Sequence, residues 1–377
     1  MENIKQVQKA GTGAAVTQIG QIGIVNCGID EKRAREICDE KINEAIRDLT
    51  EEACNKAVQR VADFISVFLK KVSERQVDLS AFAEPSFQRE LAKAQKFSAA
   101  SDRENDIELL SDLLLERMNG KLKRKTKTGI SRALEVVTEI DDDELLGLTI
   151  VFLVLSISPT SLFGSETRMG LDVLERIFVK LPLSSLPNTS SWVENLNILD
   201  AVIISPFWGG SKFADILEQR LNGYVCVGIG ENTPEFETAK NILHAAKISE
   251  SLLTKNEFLP GYFRLPVVNT SDFDSLSFHK KIINPKDGST TIITVPTTKE
   301  MSHSLSEVSA LYSRDGKLLS EVKQKFEAEL VNYPSLSLVQ KWFDTLTTSF
   351  TVTKVGAALA YVNGKRYAPE LPMPPLE

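Results

Sequence analysis

Apolar positions recur at intervals of three and four along most of the chain, which is the spacing of one face of an α-helix. Residues 30–49 place Ala34, Ile37, Cys38, Ile42, Ala45, Ile46 and Leu49 on one such face, and a second helical pattern runs from Thr50 to Arg75. Asp30 and Thr50 read as N-caps, with Glu31, Glu51 and Glu52 behind them, where carboxylates suit the positive helix start. From Glu84 to Ser158 the pattern stays helical: Pro85 fits a first turn, the run from Asp106 to Met118 is densely apolar, and Gly120 stops it. Lys121, Lys123, Arg124, Lys125 and Lys127 then read as a solvated basic connector ahead of a helix over about Ile130–Glu139. Asp141, Asp142, Asp143 and Glu144 open the next helix, again as the dipole favours.

Other periods mark the β elements. Tyr224–Ile229, edged by Gly223 and Gly230, predicts a short strand, and Thr233-Pro234 starts a helix behind it. The runs Phe278–Ile283 and Thr290–Val295 flank a turn signal at Asp287-Gly288 and predict a β-hairpin. Helices resume over 299–311, 317–330 and 336–346. The last pattern, 352–367, offers Val355, Ala358, Leu359 and Val362 to close the core, and Pro369, Pro372, Pro374 and Pro375 bar any helix beyond it. The expected fold class is therefore mainly α, with a minor β part made of an N-terminal strand, a strand near 224–229 and a hairpin near 278–295. Four segments are expected: a strand over 1–27, a long helical segment over 28–76, a helical domain over 77–165 and an α+β domain over 166–377.

The N-terminal stretch follows neither of the two usual periods. Val16, Ile19, Ile22 and Val25 recur every third residue, and Gln-Ile-Gly repeats at 18–20 and 21–23. A lone extended segment of this kind leaves its N–H and C=O groups to template another strand. The expectation is an oligomerisation strand in which several copies of the chain complete one another, with Val16, Ile19, Ile22 and Val25 as the shared apolar positions.

Composition narrows the chemistry. The chain has 377 residues, with 44 Lys+Arg against 51 Asp+Glu for a net charge of −7, which argues against a nucleic-acid partner because phosphate neutralisation needs a basic face. Four scattered cysteines, Cys27, Cys38, Cys54 and Cys226, without a leading apolar segment, point to a reducing, cytoplasmic setting. The cysteine spacing is not that of a zinc site, and the cysteines read as packing residues. HExxH, GxSxG and GxxxxGK[ST] are absent from the sequence, so no catalytic residue, cofactor or metal is assigned. Gly228-x-Gly230 before a helix is too little for a nucleotide loop, and Glu231 would face the phosphate. Two aromatic, turn-rich stretches are candidate recognition loops, one around Trp208 (Ser205 to Gly210) and one around Tyr262 (Phe258 to Phe263). Between Glu144 and Glu166 lie 21 uncharged residues. Their dense apolar part ends near Ile157, short of the roughly 20 residues a span needs, so a buried core helix is expected. The alternative is a membrane-active effector that uses this 145–165 helix.

Four stretches, GIDEKRAREICDE (28–40), 83–118, TGISRALEVVTEIDDDELLGLT (128–149) and FTVTKVGAALAYVNGKRY (350–367), resemble an uncharacterised family of bacterial cytosolic proteins with a Gln/Ile/Gly-rich strand ahead of a helical body. Similar strands precede mobile-element defence proteins, where they are thought to multimerise the effector. The resemblance implies a homo-oligomeric interaction or sensor protein in anti-phage or stress defence, with itself and a phage or host protein as partners. It implies no catalytic residues.

Overall fold

The computed structural model describes residues 30–45, 50–160, 166–189, 191–209, 211–271, 273–274, 276–283, 290–369 and 376. Val16, Ile19, Ile22 and Val25, together with Cys27 and Asp287-Gly288, lie outside them. Among the described residues the chain is mainly α. It begins with α1 (Glu31–Ala45), α2 (Glu51–Glu74), α3 (Pro85–Ala100), α4 (Glu104–Met118), α5 (Arg124–Val136) and α6 (Asp142–Ser156). Then come α7 (Thr167–Phe178), α8 (Ser191–Ile198), β1 (Val202–Gly209), α9 (Phe213–Arg220), β2 (Ile229–Gly230), α10 (Pro234–Ala245), β3 (Thr254–Lys255) and β4 (Tyr262–Arg264). The described order closes with β5 (Ser277–Ile283), β6 (Thr290–Pro296), α11 (Lys299–Ala310), α12 (Gly316–Leu330), α13 (Pro334–Phe343), β7 (Thr348–Val352) and α14 (Lys354–Tyr367).

The centre of the molecule is α6. Every residue from Leu145 to Val154 is buried, as expected of a helix that is apolar all round. It is held at both ends. Glu144 accepts from the Asp141 N–H at 3.2 Å and from Asn195 at 2.6 Å, while Arg220 donates to the Leu155 carbonyl and, at 2.8 Å, to Ser158. A cation over the last carbonyls of a helix is favourable for both charge and hydrogen bonding. The helix stops at Ser156, and among the described residues none is long and apolar enough to cross a membrane.

The final helix, α14, returns to pack on α4, α5 and α6. Its expected face is buried at Val355, Ala358, Leu359 and Val362. Asn363 donates to Thr149 Oγ1 at 2.9 Å, a polar clip inside an apolar contact. Gly129 lets α5 approach the Lys354 backbone, where a Cβ would meet the Lys354 carbonyl at 2.9 Å. One core runs from Ala34 on α1 to Ala368 beyond α14; a second, around Ile229, Leu243, Leu265, Phe273, Leu305 and Val308, unites α10, α11 and the strands near them.

Several helices begin against carboxylates distant in sequence. Glu175 accepts from the Ser335 and Leu336 N–H groups at 2.9 and 3.0 Å, at the start of α13. Glu257 accepts twice from Thr167 N–H at the start of α7, and Asp344 accepts from Phe213 N–H at the start of α9. The local N-cap residues Tyr333, Glu166 and Lys212 make no capping bond there. Each long-range carboxylate therefore satisfies helix donors and ties two elements together. Of the two expected local caps, Asp30 accepts from Arg33 N–H at 2.8 Å, whereas Thr50 holds the cap position without a side-chain bond.

Three expectations are corrected. The strand near 224–229 is confined to Ile229–Gly230; Tyr224, Val225 and Val227 are buried in irregular backbone that enters Gly228 at φ +78. The Phe263 carbonyl lies where a Gly228 Cβ would be, so the chain turns there instead of extending. The stretch around Trp208 is part of β1, which pairs antiparallel with β7: Ile204 faces Phe350 and Gly209 faces Thr348, with a bulge between them. Pro206 falls within this bulge, where its missing N–H costs no ladder bond. The third correction concerns the basic stretch, which is not a connector up to Ile130. α5 starts at Arg124, because burial of Thr126, Gly129, Ile130 and Ala133 outweighs four cations near a helix start. The hairpin, β5 with β6, pairs antiparallel from Ser277↔Pro296 to Ile283↔Thr290. Trp192 and Trp342 are packing residues, their rings stacked at 5.8 Å.

Candidate anion-binding cleft

Starting α5 at Arg124 puts its basic residues on a helical face. Arg124, Lys127, Thr128, Ser131, Arg132 and Glu135 recur at helical intervals, and they face a stripe of α3 made of Ser86, Arg89, Glu90 and Lys93. Arg117, at the end of α4, and Leu122 complete a cleft of about 660 Å³. Six cations thus meet two carboxylates, a local charge of +4 in a chain of −7. The first turns of both α3 and α5 contribute, at Ser86 and Arg124, so the positive ends of two helices add to the side-chain charge.

The ion pairs are concentrated on α3 and the later turns of α5. Lys93 bonds Glu135 at 2.6 Å and approaches the buried Glu90 at 3.6 Å, and Arg89 approaches Glu90 at 3.4 Å. Arg132 bonds Glu135 at 3.0 Å and reaches Asp200 at 3.4 Å. The Lys93 hydrogen bond, supported by Arg132, holds the Glu135 carboxyl below the usual carboxylate range, so Glu135 stays ionised and fixes both cations. Among the described residues Arg117, Arg124 and Lys127 have no carboxylate at ion-pair distance, and the half-buried Arg117 Nε finds no hydrogen-bond acceptor. These cations line one cleft without internal neutralisation, the arrangement that raises local anion concentration.

The other sequence candidates fall elsewhere. Tyr262, on β4, lines a separate cleft of about 370 Å³ with Ile229, Gly230, Thr233, Glu235 and Tyr312. This is the strand, glycine and helix start of 228–234, and several of its donors are already used. Thr233 bonds Gly230 O and Phe236 N–H, and Glu231 N–H donates to Gly261 O. The Trp208 side chain lies outside the described residues, and its strand pairs with β7, whereas Tyr262 belongs to the β2-β4-β3 sheet. The two stretches therefore sit in different sheets. The acidic quartet is wired into the start of α6: Asn105 donates to Asp142 at 2.7 Å, Asn195 bonds Glu144, and burial raises the Glu144 pKa. Cys38 is fully buried and its thiol is pushed up to about 12 by desolvation, which suits a packing residue and not a nucleophile.

The cleft was only partly visible in sequence. A helix started at residue 124 places Arg124, Lys127, Ser131 and Arg132 on one face, but nothing local relates them to Arg89, Lys93 or Arg117. A model of an uncharacterised protein family matches residues 28–373. No curated protein and no solved structure matches the chain.

Proposed function

We propose, for a chain that belongs to the uncharacterised family matched over residues 28–373, a homo-oligomeric interaction or sensor protein whose body recognises an anionic partner in the α3–α5 cleft. The observation that carries this reading is the local excess of cations on an acidic chain, with Arg117, Arg124 and Lys127 unneutralised among the described residues. Assembly is supported by the threefold spacing of Val16, Ile19, Ile22 and Val25. The setting we propose, bacterial anti-phage or stress defence with a phage or host partner, is supported by the resemblance of that strand to multimerising strands of defence proteins. The membrane-active alternative loses its support, because α6 ends at Ser156 and its residues from Leu145 to Val154 are all buried.

An acidic protein has no general reason to be retained on a heparin column. Retention at low salt is expected nonetheless, with elution as salt screens the cleft, and Arg124→Glu with Lys127→Glu should pass unretained. Flow-through of the intact chain at low ionic strength would remove the anion-binding reading. Assembly is tested separately: Ile19→Asp with Ile22→Asp should convert the oligomer to monomers in mass photometry, since each apolar position is worth roughly 1.5–3 kcal/mol when fully buried. Persistence of the intact-chain mass in that variant would refute the strand's role.

A further inference from the structure

We infer that the α3–α5 cleft is built for a compact oligophosphate, a ligand with two or more linked phosphate groups. The inference rests on the cleft being an anion site and names its ligand class. Along α5 the donors recur turn by turn: Arg124 in the first, Lys127 and Thr128 in the next, Ser131 and Arg132 in the one after. Successive turns are about 5.4 Å apart. A single phosphate can occupy one of these levels, while a chain of phosphates engages two or three together, and the second contact then benefits from the first.

The chemistry of the lining points the same way. Apart from Leu122 it consists of cations, hydroxyls and the two carboxylates. Guanidinium forks, ammonium groups, hydroxyls and first-turn N–H groups are the donors that phosphate oxygens accept from. Both carboxylates lie at the Lys93 end: Glu90 is 1% exposed, and Glu135 is bonded to Lys93 and Arg132. Arg117, Arg124 and Lys127 are free of both. The ligand's charge is thereby directed to the Arg117–Arg124–Lys127 end, with Arg132 and Ser131 reached by its farther phosphates. A volume of about 660 Å³ is that of a small-molecule site.

Titration calorimetry on the full chain, in low and physiological salt, uses four probes: tripolyphosphate, inorganic phosphate, single-stranded oligothymidylate and a glutamate-rich peptide. Tripolyphosphate should bind at least about tenfold more tightly than inorganic phosphate. Arg124→Glu with Lys127→Glu should abolish that binding, and Arg124→Gln with Lys127→Gln, which adds no new charge to the helix, should weaken it at least about tenfold. Lys121→Glu with Lys125→Glu makes the same charge change in the same basic stretch but outside the lining, and should retain tripolyphosphate. Equal affinity for phosphate and tripolyphosphate, or binding of the oligonucleotide or peptide with tripolyphosphate silent, overturns the oligophosphate and leaves the anion cleft standing. Equal loss in the Lys121/Lys125 variant shows diffuse charge and overturns it too. Silence of all four probes overturns the cleft and its ligand together.

Discussion

Val154→Asp is expected to prevent stable folding. Val154 is 2% exposed, in the fourth turn of a helix whose residues from Leu145 to Val154 are all buried, and Arg220 at the end of that helix is already committed to Leu155 O and Ser158. A carboxylate there would be enclosed in the apolar core. An uncompensated buried charge costs about 3–5 kcal/mol, a large part of the 5–15 kcal/mol that holds an ordinary domain. The purified variant should lose its cooperative urea transition or show a much lower midpoint. The measurement also bears on the membrane-active alternative, because a helix released into lipid would give vesicle leakage by the intact chain that the aspartate suppresses while the fold persists. A folded Val154→Asp protein with a near-normal midpoint would show that α6 is not the centre of the core.

Gly356→Ala is the second large effect, and its sign opposes local propensity. Within a helix, glycine to alanine normally gains about 1 kcal/mol. Gly356, however, sits in the first turn of α14 against the Ala201 carbonyl, which an added Cβ would strike, with Val352 Cγ1 at 3.0 Å on another side. The carbonyl is held in place, because Thr353 N–H donates to it at 3.0 Å and the single Thr353 hydroxyl proton is shared between Asp200 O at 2.6 Å and Ala201 O at 3.1 Å. Overpacking costs typically 1–3 kcal/mol, more than the propensity gain, so the denaturation midpoint should fall. Gly316→Ala, at the start of α12 with nothing within 4 Å of the new Cβ, is the control and should be neutral or slightly stabilising. Equal behaviour of the two variants would mean that α14 does not rest on the 200–201 backbone as described.

Much of the helical layout was legible because helices declare themselves locally. The pattern from Thr50 to Arg75 became α2, Pro85 opened α3, Thr233-Pro234 opened α10, and the apolar face of 352–367 became the buried face of α14. The strands β1 and β7 were not legible. Their partners are separated by some 150 residues and β1 is interrupted by a bulge, so neither shows a sustained alternation. The start of α5 was misjudged for a related reason. Five basic residues from Lys121 to Lys127 read as solvated connector, and only the burial of Thr126, Ile130 and Ala133 against the rest of the core overrides that preference.

What the sequence by itself determined is what short-range geometry and apolar period control: the mainly helical class, the order of most helices, the hairpin, and a central helix too short in its apolar part to span a bilayer. Tertiary structure alone decided which distant groups meet. It set Glu175, Glu257 and Asp344 on helix starts far from them in the chain, and brought Arg89 and Lys93 of α3 and Arg117 of α4 beside the basic face of α5. Charge acts through space over several ångströms, whereas a sequence displays it only along the backbone. A net charge of −7 therefore concealed a cleft of opposite sign.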